Sequence, residues 1–159
     1  APLMPFVKAK IIKASKRNVE HTLMDWEVYP PCIYNALKRL HSYGTINEII
    51  VTENGAAFND SYEEDRVDDY KRVKFLQDYI AQVLLAKREG VNVNGYFIWT
   101  LLDNFEWAEG YYPKFGLVNV DFKTQRRTVK NSGRWYSQFL QNTLSVSKEV
   151  WDKEKYRLI

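Results

Sequence analysis

Two stretches of this sequence set carboxylates among polar and aromatic neighbours. Glu53 stands in Thr52-Glu53-Asn54-Gly55, directly after the β-branched run Ile49-Ile50-Val51. Trp99 closes the apolar run Gly95-Tyr96-Phe97-Ile98, and Asp103, Asn104, Glu106, Trp107 and Glu109 follow it. A carboxylate at a strand end can act as a nucleophile. It can equally cap the next segment, and position alone leaves both readings open. Carboxylates beside indoles suit a sugar, because the C–H faces of a pyranose lie on an aromatic ring and its hydroxyls need charged acceptors. Glu106-Trp107 offers both in adjacent residues. An isolated tryptophan fills core more often than it lines a platform, so this reading has a structural alternative that position by itself favours.

These residues need elements to position them. Ile49–Thr52 shows no polar alternation, which predicts a strand buried on both faces, as in parallel sheets. Gly95–Thr100 predicts a second such strand. Between them, after a loop over 56–64, Val67, Tyr70, Val73, Leu76, Ile80 and Val83 form a helical stripe. That helix is expected to start at Asp65 as its cap and to stop at Gly90. Upstream, Pro30-Pro31 mark a boundary, and Ile33, Leu37 and Leu40 predict a helix ending near Gly44. Residues 101–115 read as a loop and Leu117–Phe122 as a short strand. Trp135, Tyr136, Phe139 and Leu140 share one helical face after Ser132. Helices alternating with buried strands predict an α/β fold with parallel strands. In such folds ligand sites gather beyond the carboxyl ends of the strands. Glu53 and the Trp99–Glu109 cluster therefore fall on one face.

Length and composition bound the rest. The 159 residues suffice for one domain with a core. Hydrophobic residues at 45% and charged residues at 27% exclude wholesale disorder. No apolar run is long enough to span a bilayer, so no membrane role is expected. Basic residues exceed acidic ones by 23 − 20 = 3, too few to argue for a nucleic-acid partner. Lys8, Lys10, Lys13, Lys16 and Arg17 precede the first acidic residue, Glu20, and read as a solvated segment in preference to a nucleic-acid arm. Cys32 is the single cysteine, which permits no internal disulfide and fits a reducing compartment. With no apolar stretch of the signal-peptide kind near the N-terminus, the expected location is cytoplasmic. His21 and His41 have no metal-ligand spacing, and no metal is expected.

Several ordered motifs resemble one family. Val51-Thr52-Glu53-Asn54-Gly55 matches the T-E-N-G signature of glycoside hydrolase family 1, the β-glucosidase and β-galactosidase family. Trp99-Thr100-Leu101-Leu102-Asp103-Asn104-Phe105-Glu106-Trp107 is similar to its W-S-L-x-D-N-F-E-W motif. Ala108-Glu109-Gly110-Tyr111, Phe115-Gly116-Leu117-Val118 and Val120-Asp121 continue the match in order, and Trp26-Glu27-Val28-Tyr29-Pro30 resembles the upstream G-W-E-V-Y-P segment. The resemblance runs from about Trp26 to Leu140. It implies the C-terminal β/α units, about strands 7 and 8, of a (β/α)8 TIM barrel that hydrolyses β-glycosides with retention. On that footing 1–144 is barrel and 145–159 a peripheral tail.

By resemblance, Glu53 is the catalytic nucleophile. Trp99, Glu106 and Trp107 line the glycone subsite, with Glu106 accepting from sugar hydroxyls. Phe115 stands at the pocket edge, and Trp26 borders the aglycone side. Position 25 is Asp where the family usually has Gly. No organic cofactor is implied. The family's acid/base lies in a T-x-N-E-P motif that this sequence lacks. Asn47-Glu48 is followed by Ile49 instead of Pro, and Glu48 precedes the strand that Glu53 follows. A complete barrel takes roughly 250 residues. The expected partners are therefore a β-glucoside or oligosaccharide and the N-terminal barrel portion, in cis or in trans, without which the chain is expected to be inactive. The alternatives are a non-catalytic sugar-binding module and a self-associating half-barrel.

Overall fold

The computed structural model describes residues 12–64 and 66–142, together with the backbone of Leu3–Met4 (β1) and Ala9–Lys10 (β2), an antiparallel pair. The expected tail, 145–159, and the expected helix cap, Asp65, lie outside the described residues. A 3-10 turn spans Ala14–Lys16, and α1 spans Pro31–His41. β3 is Ile49–Asn54, β4 Ser61–Glu63, β5 Arg66–Asp68, α2 Tyr70–Arg88 and β6 Val93–Ile98. β7 covers Val118–Val120, β8 Arg127–Val129, and α3 residues 131–142.

The centre of the fold is one βαβ unit. β3 and β6 pair in parallel, with Ile50 opposite Gly95 and Val51 opposite Tyr96, and α2 lies between them in sequence. Side chains alternate across a strand, so the two faces differ. Ile49, Val51, Val93, Tyr96 and Ile98 pack toward the helices. Ile50 and Phe97 face away and remain 48% and 60% exposed, so the strands expected to be buried on both faces are covered on one face only. Among the described residues every sheet has two strands, and no barrel closes.

α2 has no acidic residue in its first turn and no side-chain cap. Packing must therefore hold it. Its buried stripe is Arg72, Phe75, Leu76, Tyr79, Ile80, Val83 and Ala86, spaced by threes and fours. Each large apolar member contributes about 1.5–3 kcal/mol on full burial. Phe75 stacks on Tyr79 at 4.1 Å between centroids. Gly90, at φ +92, stops the helix as expected.

Three further expectations need correction. The helix begins at Tyr70, not Asp65, because Ser61–Glu63 and Arg66–Asp68 pair as the antiparallel strands β4 and β5, where loop was expected over 61–64. Val67 is buried, but in β5, while Tyr70 is 68% exposed and Arg72 takes the inward position. Leu40 and Leu140 lie at 38% and 42% exposure, outside the core faces assigned to them. The short strand expected over Leu117–Phe122 is β7, paired antiparallel with β8. In α3, Trp135, Tyr136 and Phe139 pack on the core with Leu117.

Candidate active site

Glu53 lies one residue before the end of β3, with its side chain exposed. The turn behind it is held from three directions. Asn54 accepts a hydrogen bond at its backbone oxygen from the Trp99 N–H (3.0 Å) and at Oδ1 from the Tyr96 hydroxyl (2.6 Å). Burial pushes the Tyr96 phenol above its ordinary range, which keeps it a donor. Gly55 lies against the Trp99 backbone so closely that an added Cβ would sit 1.7 Å from the Trp99 carbonyl oxygen. Only glycine fits there. Gly55→Ala is expected to lower stability by about 3 kcal/mol through overpacking, read as an earlier urea midpoint. An unchanged midpoint would contradict this close approach.

The loop after β6 is fixed by buried charge. Asp103 Oδ1 accepts from the Gly116 N–H (2.8 Å) and from Lys130 Nζ (2.9 Å), and Oδ2 accepts from the Val120 N–H (3.3 Å). Lys130 also reaches Asp60 (2.8 Å). Arg72 Nη1 donates to Asp60 (3.0 Å) and Asp69 (2.6 Å), Nε to the Ala56 carbonyl and Nη2 to the Lys114 carbonyl. Asp69 accepts from the N–H and hydroxyl of Ser132 at the start of α3. The side chains of Asp60, Asp69, Asp103 and Lys130 are fully buried, and that of Arg72 is 1% exposed. This network ties the ends of β3, β6 and β7 to α2 and α3. Asp103, which the sequence groups with the polar residues of the site, thus faces inward.

Above that support, Glu106 is half-buried and accepts from Trp99 Nε1 at 3.4 Å. Trp107 is 81% exposed and Phe115 is 2% exposed. The Trp26 ring lies 6.2 Å from that of Phe115. The residue before it, Asp25, adopts φ +60, the left-handed region that glycine favours. Its carboxylate accepts from the Ser15 N–H at 2.7 Å and from the Ser15 hydroxyl at 3.1 Å. Aspartate therefore occupies the backbone conformation open to glycine and is tied to the 3-10 turn.

The Ser15 N–H holds the Asp25 carboxyl below its ordinary value of 3.8. A depressed carboxylate stabilises the folded state above the unfolded value and loses that contribution as pH falls through the folded one. The Ser15 amide resonance is expected to titrate with a midpoint below 3.8. A midpoint at or above it would contradict the tie.

A cavity of about 530 Å³ brings these parts together, lined by Glu53, Trp99, Glu106, Trp107, Phe115 and Trp26. All six residues singled out in the sequence meet there. Residues 5–144 match Glycosyl hydrolase family 1. The chain belongs to this family. The family 1 chain is 49% identical over 128 residues to Beta-glucosidase A of Thermotoga maritima, covering 80% of this chain and 29% of that relative. It is 45% identical over 125 residues to Beta-glucosidase A of Acetivibrio thermocellus, covering 77% and 28%. The solved Thermotoga maritima beta-glucosidase in complex with glucoimidazole superposes with a TM-score of 0.81 at 46% identity, over 88% of this chain and 31% of that one. The chain thus spans less than a third of the length of these relatives. Its α/β fold is an incomplete (β/α)8 barrel.

The family 1 cavity has further walls that sequence reading missed: Glu27, Cys32, Phe75 and Tyr79. The stripe of α2 was legible, but which of its residues reach the mouth depends on packing. Burial pushes the Tyr79 phenol up to about 12, and its oxygen accepts from the Tyr29 N–H. Glu27 is a third carboxylate in the wall and is committed to an ion pair with Arg17 at 2.7 Å. Glu48 precedes β3, at the opposite strand end from Glu53. Among the described residues no group of three or more His, Cys, Asp and Glu side chains is disposed to hold a metal ion, and no helix is long and apolar enough to cross a membrane.

Proposed function

We propose that this chain is the part of a retaining β-glucosidase that carries the nucleophile and one wall of the sugar pocket. The observation that carries the reading is the meeting of Glu53 with Trp99, Glu106, Trp107, Phe115 and Trp26 around one cavity. Cavities of about 300–1,000 Å³ suit small organic ligands. Glu53 attacks the anomeric carbon, the glycosidic oxygen leaves with a proton, and a glycosyl ester forms on Glu53. Water, giving up a proton to the same acid/base group, then attacks that carbon from the face the leaving group vacated; the bond to Glu53 breaks, its carboxylate is freed and the starting configuration is restored.

Glu106 accepts hydrogen bonds from sugar hydroxyls, and its charge disfavours a phosphorylated sugar. The indoles of Trp99 and Trp107 offer surface to the C–H groups, while Trp26 borders the leaving group and Phe115 the pocket edge. The proton donor must be a second carboxyl about 5–5.5 Å from the first. Glu27 is occupied by Arg17, and Glu48 is at the wrong strand end, so the acid/base comes from the remaining barrel portion. The outward face with Ile50 and Phe97 would otherwise leave large apolar groups in water, and that portion covers it.

The test is hydrolysis of an aryl β-glucoside by the chain alone and by the chain mixed with the part of Thermotoga maritima Beta-glucosidase A that it does not match. Activity only in the mixture is expected. Activity of the chain alone would contradict the supplied acid/base. Tight self-association with no gain on mixing would favour a self-associating half-barrel.

A further inference from the structure

We infer that Lys13–Arg17 is a strap that positions Trp26 and so sets which leaving groups the site accepts, with Ser15, Arg17, Asp25 and Glu27 as positioning residues. The inference rests on the proposed glycosidase reading for its consequence, though not for its geometry. The strap is anchored near its start by Ala14, which is 2% exposed. On either side of Trp26 it grips one acidic residue. Ser15 donates twice to Asp25, Lys13 Nζ stands 3.9 Å from the same carboxylate, and Arg17 donates to Glu27 at 2.7 Å.

Inside the loop, Thr22 closes the turn. Its N–H donates to the Trp26 carbonyl (2.9 Å), and its Oγ1 accepts from the N–H groups of Met24 and Trp26 (3.2 and 3.3 Å). The Trp26 side chain itself has little to hold it. It is 53% exposed and has Phe115 on one side. Where the ring stands therefore follows from the backbone, and the backbone is fixed from outside by the strap. The basic segment that read as a solvated run has two of its charges, Lys13 and Arg17, spent on this grip.

The charges are partly exposed: the Arg17 and Glu27 side chains retain 39% and 35% of their surface. Their grip is screened by salt, whereas the Ser15–Asp25 hydrogen bonds give direction. Asp25 at φ +60 leaves the loop less free than a glycine there would, which limits the positions open to Trp26.

The test uses the full 159-residue chain with its tryptophan indoles labelled for NMR, the Trp26 signal being assigned by its loss in Trp26→Phe. In Asp25→Ala and in Arg17→Glu the Trp26 indole signal is expected to move while the other four stay. The charge swap Arg17→Glu with Glu27→Arg should return it. A Trp26 signal unmoved in both single variants would overturn the strap. So would all five signals shifting together, since the segment would then brace the fold and not this ring.

In the activity-competent mixture, Arg17→Glu should raise KM for an aryl glucoside about fivefold relative to methyl β-glucoside, with kcat little changed. Equal losses on both substrates would overturn the link to leaving-group choice. A mixture with no activity at all would count against the glycosidase reading, while the indole signals still decide the strap.

Discussion

Replacing Glu53 by glutamine is expected to abolish turnover of an aryl β-glucoside by the assembled barrel, with a loss of about 10⁴-fold or more in kcat. The amide is nearly isosteric, so the strand end and its bonds through Asn54 and Gly55 should survive. What disappears is the oxygen that forms the ester. Since the reaction is split into two steps by that ester, there is no partial route left of comparable rate. Binding of glucose should change little, because Glu106 and the indoles are untouched. A variant with near-normal kcat would assign the nucleophile elsewhere. A variant that fails to bind sugar or to fold would point instead to a structural carboxylate, the reading that position alone leaves open.

The largest effect on stability is expected from Asp103→Ala. Asp103 satisfies two backbone N–H groups and one of the two carboxylate contacts of the fully buried Lys130. Its removal leaves a buried ammonium with Asp60 alone and two orphaned donors. Breaking one partner of a buried ion pair costs about 3–5 kcal/mol, against a total stability of about 5–15 kcal/mol for a domain. With a urea slope of about 1–3 kcal/mol/M, the unfolding midpoint should fall by more than 1 M.

Asp103→Asn keeps one acceptor and loses the charge, so its midpoint should lie between. The exposed pair Lys74–Asp78, at 2.6 Å, makes the control. Its removal should cost less than about 0.5 kcal/mol. Equal effects at the two sites would contradict the claim that burial gives the Asp103 network its weight.

The parts of the fold legible in the sequence are those with local periodicity. β3 and β6 announced themselves as unalternating apolar runs, and α1, α2 and α3 as helical stripes. The β4–β5 pair was hidden because its strands are short and Ser61, Tyr62 and Glu63 all face solvent, leaving no alternation to read. That omission moved the expected helix start from Tyr70 to Asp65. Arg72 escaped notice because a stripe is sought among apolar residues, and a guanidinium enters the core only when partners far along the chain are waiting for it. Asp60 and the carbonyls of Ala56 and Lys114 are such partners, separated from it by up to 42 positions.

The same limit applies at the site. Glu53, Trp99, Glu106 and Trp107 were found because their types and their position after strands carry chemistry. Glu27, Phe75 and Tyr79 reach the cavity through tertiary packing, and no local pattern marks them. Lys13 and Arg17 looked like solvated charge, since their acidic partners lie ten and more residues away on a separate turn.

The most direct test of the account is capture of the covalent intermediate. The assembled barrel would be treated with an activated 2-fluoro β-glucoside, whose ester turns over slowly, then digested and mapped by mass spectrometry. One fluoroglucosyl group on the peptide that contains Glu53, absent in Glu53→Gln, is the expected result. A label on any other residue, or steady hydrolysis of ordinary substrate with no label on Glu53, would contradict it.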